Sequence, residues 1–327
     1  MKQSGTTPHA GLMSRAQFLR LAARLAGACA AGSVLGPAAL ALGAEGQPGA
    51  APVLRRPIPS SGAMLPVIGI GTAVVYDIGP ADAKFPLLVE TVRTFLANGG
   101  AAIDTAPPYG RAEKSVGEIL RRIGGRERAF IATKISTIGE QAGRDSFANS
   151  LRDLGTDRID LLQVHNIRDT AVHLRTIRRL QDEGKVRYAG ITTSFRNTYA
   201  EYEQIMRREK LDFIQIDYAL DNRLAAERIL PLARERGMAV MINLPFGRGR
   251  LFNKARGRAL PPWAAEFDCT SWAQFFLKFV LAHPAVTVVI PGTDRPEYAI
   301  DNLNAARGRI PDAKMREQIV SYWDQLG

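Results

Sequence analysis

The sequence predicts an α/β protein of the closed parallel (β/α)8 class, the TIM barrel. Short apolar, mostly β-branched runs recur along the chain, and amphipathic segments of helical period separate them. Because parallel strands need a crossover connection and are covered on both faces, this repeated alternation favours a barrel. The predicted strands are residues 67–71, 101–105, 130–134, 160–165, 188–192, 213–217, 239–243 and 287–291. Predicted helices include residues 86–97, 171–182, 224–235 and 273–282.

Two segments depart from a plain barrel. Residues 52–66 carry a Pro-Ser-Ser-Gly turn in their middle, which predicts an N-terminal β-hairpin that caps one end of the barrel. Residues 244–270, after the seventh strand, are rich in Gly, Pro, Arg and aromatic residues rather than in helical period. We expect a long loop there, over the face where barrels carry out chemistry.

Length and composition limit the class of protein further. A chain of 327 residues with 46% hydrophobic and 23% charged residues can bury a large core, and barrels of this kind use roughly 200–250 residues as one domain. We therefore expect residues 51–327 to form one barrel domain and residues 1–50 to be a separate segment. After residue 52 no apolar run reaches the length of about 18 residues that a membrane span needs, which argues against membrane insertion of the domain.

The first 50 residues resemble an export signal. They contain four basic residues and no acidic residue before an uncharged stretch at 25–42. Residues 14–20 are similar to a twin-arginine motif in which Ala16 replaces the second arginine. Small residues at 39–41 predict cleavage near Leu42, export to the periplasm and contact with the export machinery. The alternative is a disordered extension on a cytoplasmic enzyme.

Charge and cysteine content exclude other classes. The net charge is +11, and the four basic residues of the N-terminal segment account for part of it. No recognition motif accompanies the remaining charge, so we expect no nucleic-acid partner. Cys29 lies in the N-terminal segment, which leaves Cys269 without a partner for an internal disulfide. Four histidines with one such cysteine predict no metal site.

Four polar residues stand at or just after the ends of predicted strands. Asp104, Lys134 and His165 end the second, third and fourth strands, and Tyr109 follows the second strand by five residues. All four are therefore expected at the carboxyl-terminal mouth of the barrel. A phenol beside an ammonium gives up its proton more readily, and a carboxylate would hold that ammonium in place. Such a set can protonate a carbonyl oxygen while another group delivers hydride to the carbon. The alternative is a structural ion pair with an aromatic residue at the rim.

These residues and the segments around them resemble the aldo-keto reductase superfamily. The resemblance spans about residues 53–306 and keeps the family's order of motifs. The motifs are GIGT at 69–72, IDTA at 103–106 with YG at 109–110, TK at 133–134, QVH at 163–165, GI at 190–191, QIDY at 215–218 and IPG at 290–292. The resemblance implies a barrel that binds NADP(H) across its mouth, reduces aldehydes or ketones by hydride transfer, and uses Asp104, Tyr109, Lys134 and His165 as its catalytic tetrad.

The resemblance also implies cofactor contacts. Thr192 and Thr193 stand where the family has the Ser-Asn pair that holds the nicotinamide carboxamide, and Asn243 stands where a tyrosine often stacks on the ring. Residues 245–251 are similar to the family's pyrophosphate loop, in which glycine amides and a guanidinium suit a diphosphate. The implied contacts are Gly71, Thr72, Asp104, Thr192, Thr193, Gln215, Asn243, Pro245, Phe246, Gly247, Arg248, Gly249, Lys254, Thr293, Arg295, Asp301 and Asn302.

The implied activity is NADPH-dependent carbonyl reduction with Tyr109 as the general acid. Thr293 and Arg295 are the candidate ligands for the 2'-phosphate of NADPH, and NADH remains possible. The candidate substrate contacts are Val74, Tyr109, His165, Phe246 and Trp263, although packing of the long loop onto the barrel explains the aromatic residues equally well. The alternative function is a nucleotide-binding subunit on the same fold that senses redox state. The identity of the carbonyl substrate and the oligomeric state do not follow from the sequence.

Overall fold

The computed structural model of the protein describes residues 51–326. The predicted export signal, its cleavage site and Cys29 lie outside the described residues. No helix within residues 51–326 has the length and apolar character needed to cross a membrane.

Eight parallel strands form the barrel, as predicted, in the order of the sequence. They are β3 (Ile70–Gly71), β4 (Ala102–Asp104), β5 (Phe130–Ile135), β6 (Ile159–His165), β7 (Val186–Thr192), β8 (Phe213–Asp217), β9 (Ala239–Asn243) and β10 (Val288–Val289). Parallel bridges join the first strand to the last, between Ile68 and Val289 and between Gly71 and Gly292. These bridges close the sheet on itself.

The first and last strands are shorter than the predicted runs 67–71 and 287–291. Pro291 has no N–H to donate to a ladder, which limits β10 at its carboxyl end. Gly71 lies so close to the last strand that a Cβ there would approach the Ile290 carbonyl oxygen to 2.8 Å. The seam of the barrel therefore depends on glycine and is held by few hydrogen bonds, among them Gly69 N to Val289 O at 2.8 Å.

Helices surround the barrel and follow most of the strands. They are α1 (Phe85–Ala97), α2 (Ala112–Ile123), α3 (Glu140–Leu154), α4 (Thr170–Asp182), α5 (Tyr199–Arg208), α6 (Ile229–Glu235), α7 (Arg250–Ala255), α8 (Trp272–Leu281), α9 (Pro296–Asn304) and α10 (Ala313–Gln325). Helix α8 begins with a side-chain cap: the Ser271 side chain accepts a hydrogen bond from Gln274 N and so stabilises the first turn. The apolar faces of the helices and the outer faces of the strands form the main core.

The single helix predicted at 224–235 is wrong in its first half. Residues Leu224–Ala226 form a 3-10 turn, and α6 begins only at Ile229. The reason is Pro231, which lacks an N–H donor and is tolerated only in the first turn of a helix. The α-helix therefore has to begin just before it.

The long connection predicted after the seventh strand is present, but it is not all loop. It contains the short helix α7 and 3-10 turns at Gly247–Gly249 and Pro262–Phe267. Six residues are too few for α7 to show a helical period in the sequence. Aromatic residues fasten this connection, since Phe246 packs against Phe252 with ring centres 4.8 Å apart.

The predicted N-terminal hairpin is confirmed. Strands β1 (Arg55–Pro57) and β2 (Met64–Pro66) pair antiparallel. Ile58 and Leu65 of the hairpin are buried among the side chains that fill the barrel, such as Phe130, Tyr188 and Phe213. The hairpin thus closes the end of the barrel opposite the carboxyl ends of the strands.

Candidate active site

A cavity of about 690 Å³ opens at the carboxyl ends of the strands. Strand register brings its polar residues together, because Gly71 pairs with Asp104, His165 with Thr192 and Thr192 with Gln215. The predicted site residues that line the cavity are Gly71, Thr72, Val74, Asp104, Tyr109, His165, Thr192, Gln215, Asn243, Pro245, Phe246, Arg248 and Gly249.

A buried ion pair lies at the base of this cavity. The Nζ atom of Lys134 donates hydrogen bonds to the two carboxylate oxygens of Asp104 at 2.9 and 2.8 Å, and to Thr105 O at 2.8 Å. The side chains of Lys134 and Asp104 are only 1% and 4% exposed. These three hydrogen bonds define the position of Nζ.

The electrostatics keep Lys134 charged. Burial lowers the pKa of Lys134, but the charge of Asp104 and the interaction with Tyr109 outweigh it, and the pKa is raised overall. Burial raises the pKa of Asp104, while the adjacent ammonium opposes that shift. The Lys134 ammonium therefore lies charged beside Tyr109, paired with Asp104 and shielded from bulk water.

Tyr109 lies above this ammonium. Nζ of Lys134 is 5.0 Å from the centre of the Tyr109 ring, and the ring meets that of His165 edge to face at 5.9 Å. A tight turn sets the tyrosine in place: Gly110 has φ +64, and a Cβ there would lie 2.2 Å from Asp77 Oδ1. The same Asp77 oxygen accepts a hydrogen bond from Arg111 N at 2.8 Å.

His165, beside Tyr109 in the cavity lining, is a neutral imidazole. Burial, and then the charge of Lys134, lower the pKa of His165 to about 3. Its Nδ1 atom forms a hydrogen bond with Ser136 Oγ at 2.6 Å. A neutral ring with one nitrogen held by the protein can direct the other toward a ligand.

Asp104, Tyr109 and His165 thus line one cavity, and Lys134 lies directly behind them, bonded to Asp104 and 5.0 Å from the centre of the Tyr109 ring. The model of the aldo/keto reductase family matches residues 67–321. The chain belongs to the aldo/keto reductase family.

Curated relatives agree with this assignment. An NADH-specific methylglyoxal reductase of Escherichia coli strain K12 is 24% identical over 316 residues, covering 79% of this chain and 95% of that protein. Methylglyoxal reductase YeaE from the same organism is 30% identical over 232 residues, covering 69% of this chain and 80% of its own. An aldo-keto reductase from Klebsiella pneumoniae, solved in complex with NADPH, shares the fold with a TM-score of 0.67 at 24% identity, covering 80% of this chain and 92% of that one.

Other predicted cofactor residues of this aldo/keto reductase lie away from the cavity lining. The Thr193 hydroxyl accepts a hydrogen bond from Phe195 N at 3.1 Å, within the loop after β7. Lys254 donates to Trp323 O at 3.0 Å on α10. Asn302 donates to Thr293 Oγ1 at 3.0 Å. These residues are therefore held by the protein itself in this arrangement.

The remaining predicted cofactor residues also lie next to other parts of the protein. Asp301 accepts hydrogen bonds from Ser271 and Gln274 at 2.7 and 2.6 Å, which ties α9 to α8. Arg295 lies near Glu297, with 3.8 Å between nitrogen and oxygen. Gly247 has φ +57 and sits directly against Asp221. Its neighbours Phe246, Arg248 and Gly249 do line the cavity.

Trp263 was predicted as a substrate contact and does not line the cavity. Its ring packs against Phe267, Phe275 and Tyr322 at 5.6 to 6.1 Å between ring centres. The packing explanation considered from the sequence therefore describes this residue.

Several cavity residues were not identified from the sequence. Ser136 holds His165, and the cavity lining also includes Asn166, Ser194 and Phe195. Position offers a signal for the two serines, because polar residues just after the carboxyl ends of barrel strands lie at the face where barrels carry out chemistry. Ser136 follows Lys134 by two positions and Ser194 follows Thr192 by two.

Proposed function

We propose that the protein is an NAD(P)H-dependent carbonyl reductase that converts an aldehyde or ketone to an alcohol, with Tyr109 as the general acid. The observation that carries this proposal is the buried Lys134 ammonium, held by Asp104 at 2.8 Å and placed against the ring of Tyr109 inside the cavity. Few structural ion pairs would place an aromatic hydroxyl residue and a neutral histidine around the same opening.

The cavity suits a nicotinamide nucleotide. Its volume of about 690 Å³ lies within the range of about 300–1,000 Å³ found for ligand and cofactor sites. Asn243 Oδ1 is buried beside it without a hydrogen-bond partner among the described residues, and so can accept from an amide. Gly249 and Arg248 at its edge provide open backbone and a guanidinium for phosphates. We propose NADPH as the cofactor, with NADH as a possible substitute.

When bound, the reduced nicotinamide supplies the hydride that reaches the carbonyl carbon. The Tyr109 hydroxyl donates its proton to the carbonyl oxygen, so the substrate gains one hydride and one proton and leaves as an alcohol. The Lys134 ammonium stabilises the tyrosinate left behind. Proton donation of this kind contributes about 10²–10⁴-fold to a rate.

His165 orients the substrate. Its pKa of about 3 keeps the ring neutral in the physiological range, so it holds the carbonyl oxygen through a hydrogen bond and leaves proton donation to Tyr109. Val74 and Phe246 line the same cavity and provide apolar contacts for the rest of the substrate. Because two relatives are named methylglyoxal reductases, small aldehydes and dicarbonyls are the first compounds to test.

The experiment follows NADPH and NADH oxidation by the full chain with methylglyoxal and with a reactive aromatic aldehyde. Tyr109→Phe should lower turnover at least about 100-fold while leaving nucleotide binding intact. Tyr322→Phe is the matched control, since its ring packs against Trp263 outside the cavity, and it should retain wild-type rates. Equal loss in both variants, or a Tyr109→Phe rate close to that of the wild type, would refute the assignment. Nucleotide binding without turnover by the wild type would instead favour the redox sensor.

We also propose that residues 1–41 direct export of the folded domain. The proposal rests on their four basic residues, the uncharged stretch that follows and the motif at 14–20. Fractionation of cells that produce the full chain tests it: a shortened chain in the periplasm is expected, and an uncleaved chain confined to the cytoplasm would contradict it.

A further inference from the structure

Two loops meet beside His165. One follows β5 and covers residues 136–139, and the other follows β6 and covers residues 166–169. Hydrogen bonds link the first loop to the end of β6 and to the second loop: Ser136 Oγ bonds with His165 Nδ1 at 2.6 Å, and Gly139 N donates to Asp169 Oδ2 at 2.7 Å. A third bond connects the first loop to α4, because His173 Nε2 donates to the Thr137 carbonyl oxygen at 2.8 Å.

The second loop has an unusual backbone. Asn166, Ile167 and Asp169 all have φ between 50 and 53°, in the left-handed region that non-glycine residues rarely adopt. Such conformations cost of order 1–3 kcal/mol each and persist where the surrounding structure holds them. The hydrogen bonds between Ser136 and His165, between Gly139 and Asp169, and between His173 and Thr137 surround the second loop and provide this restraint.

The two nitrogens of the His165 ring are in different surroundings. Nδ1 faces the Ser136 hydroxyl, whereas Nε2 has no hydrogen-bond partner within residues 51–326, and the residue lines the cavity. A neutral imidazole carries only one N–H, so the partner of Nδ1 decides what Nε2 offers to a ligand. Burial lowers the pKa of His165 to about 3, so the ring is neutral and its single proton lies on either Nδ1 or Nε2.

We propose that Ser136 is a positioning residue: its hydroxyl donates to Nδ1 of His165 and so holds the ring proton on Nε2, which donates to the carbonyl oxygen of the substrate. The inference rests on the proposed function, since it assigns His165 a task in carbonyl reduction. In the opposite tautomer, an Nε2 lone pair would face the lone pairs of that oxygen. Ser136 thus excludes a repulsive arrangement without touching the substrate.

The bond between Ser136 and His165 is well suited to this task. At 2.6 Å it is short for a hydrogen bond of a neutral hydroxyl. The serine side chain has no other hydrogen-bond partner within residues 51–326, so nothing in that part of the chain competes for its proton. Thr137, the next residue, also has a buried hydroxyl, but that hydroxyl has no partner there. The two neighbouring hydroxyls therefore differ in one respect, contact with the imidazole.

The decisive experiment measures the ring-nitrogen chemical shifts of His165 by heteronuclear NMR on the full chain with isotope-labelled histidine, without substrate. The chain has four histidines, and a His165→Gln variant identifies the signals. In the wild type we expect a protonated Nε2 and an unprotonated Nδ1. In Ser136→Ala the two shifts should move toward each other as both tautomers become populated, and Ser136→Thr should restore the wild-type pattern.

Kinetics provide the second measurement. Ser136→Ala should lower kcat/KM for aldehyde reduction by about three- to tenfold, the value of one net hydrogen bond, and Ser136→Thr should recover most of the loss. Thr137→Val removes the neighbouring unpartnered hydroxyl and should keep the wild-type rate and the wild-type shifts. A merely structural role for Ser136 would lower the unfolding midpoint and leave the tautomer unchanged.

A proton on Nδ1 in the wild type, or shifts that do not change in Ser136→Ala, would overturn the proposal. Those readouts need no turnover and therefore separate two failures. An inactive wild type with the expected shifts would refute carbonyl reduction while supporting the tautomer assignment. An active wild type with the opposite tautomer would overturn the role of Ser136 alone.

Discussion

Replacing Lys134 by methionine tests the buried pair that holds the site together. The substitution keeps an unbranched chain of similar length but removes the ammonium that donates to both Asp104 oxygens at 2.9 and 2.8 Å. Both side chains are almost fully buried, so the carboxylate left behind cannot regain water. Removing one partner of a buried ion pair costs about 3–5 kcal/mol, and we expect this loss of unfolding free energy at neutral pH.

A surface pair provides the scale for comparison. Arg223 contacts Asp324 at 2.9 Å, nearly the same separation, but its side chain is 37% exposed and that of Asp324 is 51% exposed. Exposed pairs of this kind contribute about 0–1 kcal/mol, so Arg223→Met should change stability little. The contrast between the two variants isolates burial as the cause, because the charge removed and the distance are alike.

Urea denaturation of the full chain, followed by fluorescence, measures both variants. The double variant Asp104→Asn with Lys134→Met should be more stable than Lys134→Met alone, since an amide needs no counter-charge. Burial raises the pKa of Asp104, and a folded-state pKa above the unfolded value favours folding at low pH. Loss of the ammonium removes the contribution that opposes this rise, so the destabilisation of Lys134→Met should grow as pH rises above the ordinary pKa of a carboxyl group. A loss no greater than that of Arg223→Met, or a double variant no more stable, would refute the reasoning.

Three further predictions concern pH, packing and phosphate binding. The pKa of His283 is lowered from 6.5 to about 4 by burial and by neighbouring arginines. The unfolded chain therefore binds the extra proton, and stability should fall as pH drops from about 6.5 to 4; a His283→Gln variant with an unchanged pH slope would contradict this. Gly143→Ala should destabilise α3 by about 1–3 kcal/mol in urea, because its Cβ would lie 2.8 Å from Nδ1 of the buried His173; a gain in stability would show that the ring can move. Arg248→Ala should weaken NADPH and NADH binding alike, by about tenfold or more in calorimetry, whereas Arg250→Ala, which removes a guanidinium already paired with Asp221 at 2.9 Å, should have less effect.

The interior strands could be predicted because strands buried on both faces are short runs of mostly apolar residues. Strands β8 and β9 are short, mostly apolar runs that end in a polar residue, and the predicted bounds 213–217 and 239–243 agree with the structure. The first and last strands, β3 and β10, were predicted too long. Their glycines and Pro291 fit an apolar run in the sequence, but in the structure these residues shorten the hydrogen-bonded ladder. The position of α6 depended on Pro231, whose effect on the start of a helix outweighs the apolar period.

The four candidate catalytic residues could be located because strand ends can be recognised in the sequence and the carboxyl ends of barrel strands meet at one mouth. The cofactor and substrate contacts were harder to predict, because they depend on the direction in which each side chain points after the end of its strand. Thr193 was predicted beside Thr192, but its hydroxyl forms a hydrogen bond within the loop after β7, whereas Ser194 lines the cavity. Trp263 belongs to the long connection after β9, whose path is set by tertiary packing. The residues around it in the sequence therefore do not reveal that its side chain does not line the cavity.

The central claim is that hydride reaches a carbonyl carbon in this cavity while Tyr109 supplies the proton. The most direct measurement is a single turnover with NADPH deuterated at the transferred position of its nicotinamide, with mass spectrometry of the alcohol. The account predicts one deuterium on the former carbonyl carbon with the wild type, and a rate at least about 100-fold lower with Tyr109→Phe. An alcohol without deuterium, or equal rates for the two proteins, would contradict it.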